Sequence, residues 1–135
     1  MEVEWGSEFE RVLRRVEKGA NSGDPVARIR YDHLRALLDE VAQLSGRPEA
    51  ESRTFKRVRQ ARRYELWRVA HPYHPAVAVR IIVWFPSQSR AVLALFAFDK
   101  AKLGDIWYDR ATRESEARLD QWRRENPEWR GEVNE

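Results

Sequence analysis

The chain has no cysteine. That absence excludes a disulfide scaffold, a thiol nucleophile and any thiolate metal site. It fits a reducing compartment, and a cytoplasmic protein is expected. Long hydrophobic runs are also missing. The longest stretches, Ala76–Val79, Ile81–Phe85 and Ala91–Phe98, are interrupted or bounded by Arg80 and Arg90. None approaches the ~20 apolar residues of a membrane-spanning helix. Met1 is followed by acids rather than by a basic and then apolar stretch, so no signal peptide is expected. There is no internal repeat, no Gly-rich phosphate loop, no Ser/His/Asp arrangement and no zinc spacing. His71 and His74 each precede a proline and have no third ligand at a suitable spacing. Asp99, Asp105 and Asp109 suit capping and salt bridging better than a metal cluster. Neither metal nor cofactor is expected.

What is present is a core and a concentrated basic charge. The 135 residues are 42% hydrophobic and 11% aromatic, enough for one compact domain, expected over residues 1–126 with a loose tail at 127–135. Net charge is only +3, yet the run Arg53–Arg68 (RTFKRVRQARRYELWR) holds seven basic residues and one acid. Charge concentrated in this way beside strand-forming residues points to a polyanion, with RNA the leading candidate.

Hydrophobic periodicity gives the element order. Val3–Trp5 suits a short first strand. Ser7 and Glu10 have capping-box spacing, and Phe9, Val12, Leu13 and Val16 form a helical stripe. Gly19–Gly23 predicts a turn. Asp24–Pro25 then opens a second helix, with Val26, Ile29, Leu34, Leu37, Leu38, Val41 and Leu44 on its apolar face. Residues 64–70, 76–85 and 90–98 have strand composition, the last two joined by a hairpin at Pro86–Ser89. Those last two strands are apolar on both faces, so both faces should be covered. Asp105 to about Asn126 predicts a third helix with the stripe Tyr108, Ala111, Ser115, Leu119 and Trp122. The expected class is α+β, with two N-terminal helices packed on a small antiparallel sheet and a C-terminal helix.

This layout resembles the RelE/ParE superfamily of toxins. Ser45–Gly46–Arg47–Pro48 followed by Thr54–Phe55–Lys56 is similar to the segment before the second strand of HigB-like members. Leu66–Trp67–Arg68–Val69 and Arg80–Ile81–Ile82–Val83 resemble their next two strands. Phe98–Asp99–Lys100 and Gly104–Asp105–Ile106–Trp107–Tyr108 resemble the end of the last strand and the start of the final helix. The likeness spans roughly residues 2 to 125. It implies a RelE-like fold and the toxin of a type II toxin–antitoxin system, neutralised by a cognate antitoxin protein in a possible hetero-oligomer. The implied activity is ribosome-dependent, metal-independent mRNA cleavage, in which a ribose 2′-OH attacks the adjacent phosphate. A ParE-like DNA gyrase inhibitor, or a non-catalytic regulator on the same fold, is the alternative.

Strand alternation tests the roles this resemblance implies. Trp67 and Val69 share one face of their strand, and Tyr64, Leu66 and Arg68 share the other. Arg80 takes the face opposite Val79, Ile81 and Val83. Arg68 and Arg80 are therefore expected to meet on one side as a phosphate clamp, since guanidinium offers a planar bidentate donor set. Lys56 and Lys100 are further candidates for transition-state support. Tyr108, at the head of the last helix, is the candidate proton carrier or phosphate ligand. A phenol, with an ordinary pKa near ~10, is a poor base unless cations lower it. Arg53, Arg57, Arg59, Arg62, Arg63 and Lys102 are expected to contact the RNA backbone. Trp107 is expected to be packing, and Trp122 to offer a surface that the antitoxin covers.

Overall fold

The first helix, α1 (Ser7–Asn21), starts from Gly6 in extended conformation, with no side chain capping it. The capping box expected of Ser7 and Glu10 does not form. Glu10 is occupied elsewhere: its carboxylate accepts the Trp5 indole N–H at 2.6 Å and the Arg14 Nε–H at 2.8 Å. A carboxylate that can tie down the preceding strand and the next helical turn gains more from those two donors than from one backbone N–H. Gly23, with φ of +96°, makes the turn into α2 (Pro25–Ala42). There the expected cap is present. The Asp24 carboxylate accepts from the backbone N–H of Val26 at 2.9 Å and of Ala27 at 3.3 Å. Val26, in the first turn, is 47% exposed and so lies off the apolar face assigned to it.

The computed structural model describes residues 1–70, 78–98 and 104–129. Five strands are present: β1 (Glu2–Trp5), β2 (Phe55–Arg57), β3 (Leu66–Val69), β4 (Val79–Ser87) and β5 (Arg90–Phe98). The last helix is α3 (Gly104–Glu125), followed by a short 3-10 turn at Pro127–Trp129. The strands form one sheet in the order β1-β5-β4-β3-β2. The sheet is mixed, not antiparallel throughout as expected: β1 runs parallel to β5, and the remaining pairs are antiparallel. A parallel pair needs a long connection, and here everything between Trp5 and Arg90 supplies it. The short strand β2 stands where a basic loop is expected. The hairpin turn is narrower than expected, at Gln88–Ser89, and Pro86 lies inside β4 at a register shift, where its missing N–H breaks no ladder bond.

Two apolar clusters lie on opposite faces of the sheet. Phe9 and Leu13 of α1 and Leu34, Leu37, Leu38 and Val41 of α2 pack with Phe55, Trp67, Val69, Ile81, Val83 and Leu93. On the other face, Trp107, Ala111, Leu119 and Trp122 of α3 pack with Leu66, Ile82, Trp84, Val92, Ala94 and Leu95. Trp122 is 4% exposed. The stripe of α3 expected to receive an antitoxin is therefore consumed by the chain's own sheet. No helix among the described residues is long and apolar enough to cross a membrane.

Candidate functional site: a basic corner of the sheet

Register decides which cations meet. Lys56 lies directly opposite Arg68, and Arg68 directly opposite Ile82. Arg80, two residues before Ile82 on the same strand, is thus the diagonal neighbour of Arg68. Direct cross-strand Cβ atoms lie about 4.5–5.5 Å apart and diagonal ones about 7–8 Å. Ile82 and Leu66 belong to the α3-facing cluster, so Lys56, Arg68 and Arg80 stand in a row across β2, β3 and β4 on that face.

The electrostatics of the row are unusual. Arg68 and Arg80 are half-buried, and the buried Nε of each has no hydrogen-bond partner. No carboxylate among the described residues pairs with either arginine or with Lys56. A buried guanidinium nitrogen without an acceptor is costly, and two like charges on neighbouring strands repel. An incoming oxyanion would offset the repulsion.

Tyr108 is at the start of α3, half-buried, edge-on to Trp107 at 4.7 Å between ring centroids. It packs at the margin of the α3-facing cluster. Its neighbour Trp107 lines one cleft with Ala97, the ladder partner of Arg80. The start of α3 therefore lies at the end of the sheet that carries Arg80. Trp107 is buried packing, as expected.

The other basic residues divide into committed and free. Arg57 points to the opposite face from Lys56: its guanidinium lies 5.1 Å from the Trp67 ring, 3.5 Å from Glu65 and 3.3 Å from the Glu49 carbonyl oxygen. Arg63 donates to Asp120 at 2.6 Å. Arg53, Lys56, Arg59 and Arg62 are exposed, with no ion pair among the described residues. Lys100 and Lys102, with His71 and His74, lie outside the described residues.

What holds the segment between β2 and β3 was missed in the sequence. The Glu116 carboxylate, 6% exposed, accepts from the backbone N–H of Arg63 at 2.7 Å and of Tyr64 at 3.3 Å. Asp120, one turn later, accepts from the Tyr64 hydroxyl at 2.5 Å as well as from Arg63. Burial, reinforced by the bond to Asp120, raises the Tyr64 pKa. Burial alone would raise Asp120 too, but the bonds from Tyr64 and Arg63 outweigh it and bring the carboxyl below its usual range. The available signal was two acids four residues apart on the buried side of a helix. No group of three or more His, Cys, Asp or Glu residues able to hold a metal ion occurs among the described residues.

Comparison of the chain with protein-family models, with curated proteins and with solved structures finds no match. The functional reading rests on the residues themselves.

Proposed function

We propose that the protein has a RelE-like fold, with its two N-terminal helices on one face of the sheet, and is the toxin of a type II toxin–antitoxin pair. Its activity is ribosome-dependent, metal-independent cleavage of mRNA. The observation that carries this reading is the row Lys56–Arg68–Arg80, in which both arginines have an unpaired Nε and no carboxylate partner among the described residues. The order of strands and helices supports it as well.

In the proposed reaction the 2′-oxygen attacks the adjacent phosphorus, the P–O5′ bond breaks, and a 2′,3′-cyclic phosphate and a 5′-hydroxyl result. The 2′-hydroxyl proton must leave and a proton must reach the departing oxygen. The phosphorane between them carries extra negative charge. Arg68 and Arg80 donate to that charge, the situation in which preorganised electrostatics contribute most. Arginine is permanently protonated and moves no proton. Among the described residues of the corner, Tyr108 and Lys56 are the groups with protons to exchange. Arg53 and Arg59 neutralise neighbouring backbone phosphates and ribosomal RNA. The cognate antitoxin acts by covering the basic corner rather than the α3 stripe, which is buried. The setting is cytoplasmic.

Primer extension on an mRNA incubated with the protein, with and without translating ribosomes, tests the reading. Cleavage on ribosomes alone, abolished by Arg68→Ala and reduced by Tyr108→Phe, is the expected result. Intact mRNA in every lane, with loss of gyrase supercoiling, would instead assign the protein to the ParE-like inhibitors.

A further inference from the structure

A basic groove lies outside the row of Lys56, Arg68 and Arg80. It runs between the segment before β3 and the outer flank of α3, and is lined by Gln60, Arg62, Asp109, Arg110, Thr112 and Arg113, with Glu116 at one end. Three arginines from two separate elements face it. All three are exposed and without an ion pair among the described residues. Of the two acids, Glu116 is already occupied by the backbone N–H groups of Arg63 and Tyr64. Asp109 remains, so the groove keeps a positive balance.

Thr112 forms part of the wall between the arginines. It is only 4% exposed and its hydroxyl oxygen is fully covered, so the arginines alone present donors to the cleft. Three arginines around an open cleft make a set suited to a phosphodiester.

The position relates this groove to the basic corner. Asp109 and Arg110 directly follow Tyr108 on α3, and Arg110 also lines a cleft with Ala97, the ladder partner of Arg80. The groove and the arginine row thus meet at the start of α3.

We infer that the groove between Arg62 and Arg113 holds a backbone phosphate of single-stranded RNA adjoining the strand bound at Arg68 and Arg80. This rests on the endoribonuclease reading and extends it to the path of the substrate. Arg62 and Arg113 grip the phosphate oxygens, and Arg110 offsets Asp109.

The test uses the full chain and a short single-stranded 2′-O-methyl RNA, which cannot be cleaved because its attacking hydroxyl is blocked. Binding is measured by fluorescence anisotropy over a series of salt concentrations. The Arg62→Gln/Arg113→Gln variant should bind about tenfold more weakly, and its log K against log salt slope should shrink by about 0.7 for each phosphate that is no longer neutralised. If the wild type binds this RNA and the double variant shows the same affinity and slope, the inference fails while the endoribonuclease reading stands. If the wild type binds no single-stranded RNA, the inference fails, while the endoribonuclease reading, which requires the ribosome, is decided separately by primer extension. Equal binding of duplex DNA, weakened equally in the double variant, would overturn the assignment to RNA.

Discussion

The Tyr64 hydroxyl donates to Asp120 at 2.5 Å, across 56 positions of sequence. Arg63 donates to the second oxygen of the same carboxylate at 2.6 Å, and Arg123 reaches the Tyr64 oxygen at 3.4 Å. This network ties the segment before β3 to α3. Since Arg59 and Arg62 ride on that segment, the network also fixes where those cations stand.

Tyr64→Phe should cost about 1.5–3 kcal/mol, the range for a hydrogen bond to a charged group. Stability should also depend on pH through Asp120. Its folded pKa lies below the unfolded one, so the stabilisation is fully present above the ordinary carboxylate value near ~3.9. It is lost as pH falls through the lowered folded pKa. Urea unfolding of the wild type and Asp120→Asn should therefore differ at neutral pH and converge in acid. A gap that stays constant into acid would mean that Asp120 acts through shape alone.

Glu116 poses a sharper case, because its partners are backbone groups. Glu116→Ala leaves the N–H groups of Arg63 and Tyr64 without their acceptor in a largely buried setting. The expected loss is about 1–3 kcal/mol. Glu116→Gln keeps an acceptor oxygen and should lose less than half as much. Comparable losses in the two variants would show that charge, not acceptance, is what Glu116 provides.

Adjacent residues on β2 should behave oppositely. Lys56 faces the α3 side beside Arg68, while Arg57 stacks on Trp67 and pairs with Glu65 on the other face. Lys56→Ala should lower RNA cleavage with little change in unfolding midpoint. Arg57→Ala should cost about 0.5–1 kcal/mol, because the cation–π interaction is removed, and leave cleavage near the wild-type level. Parallel effects of the two changes on cleavage would mean that β2 is a loop in solution, with both side chains free to turn to the same side.

The faces of β3 and β4 were legible because alternation is strict there. Trp67, Val69, Ile81 and Val83 go to one cluster, and Leu66, Ile82 and Trp84 to the other. That alone places Arg68 and Arg80 on a common side. Alternation fails on β5. A register shift opposite Ile82 and Val83 puts both Ala94 and Leu95 on the α3 face, and no local pattern announces such a bulge. β2 was hidden for another reason. Three residues rich in charge have little intrinsic strand preference, and pairing with β3 creates the strand. The division of the basic run into committed and free arginines was not legible either. It depends on Glu65 and Asp120, whose reach is set by tertiary packing. The parallel pairing of β1 has the same origin, since four residues carry no sign of their distant neighbour.

Arg68 and Arg80 provide the strongest separation of function from stability. Each has a buried Nε without a partner, and their charges are diagonal neighbours. No ion pair among the described residues draws on either charge, and the fold bears the repulsion between them. Arg68→Met and Arg80→Met keep the aliphatic stem, so packing changes little. Each should leave the thermal midpoint unchanged or raise it, by an amount equivalent to about 1 kcal/mol or less, a few degrees for a domain of this size. In the ribosome assay each should lower cleavage about 100-fold or more, as expected when a preorganised donor to a developing oxyanion is removed. The decisive quantity is the relation between the two effects. Loss of cleavage with held or increased stability marks a site strained for an anionic ligand. Loss of both in proportion would show that the guanidinium groups are structural, and that the anion-binding corner is misassigned.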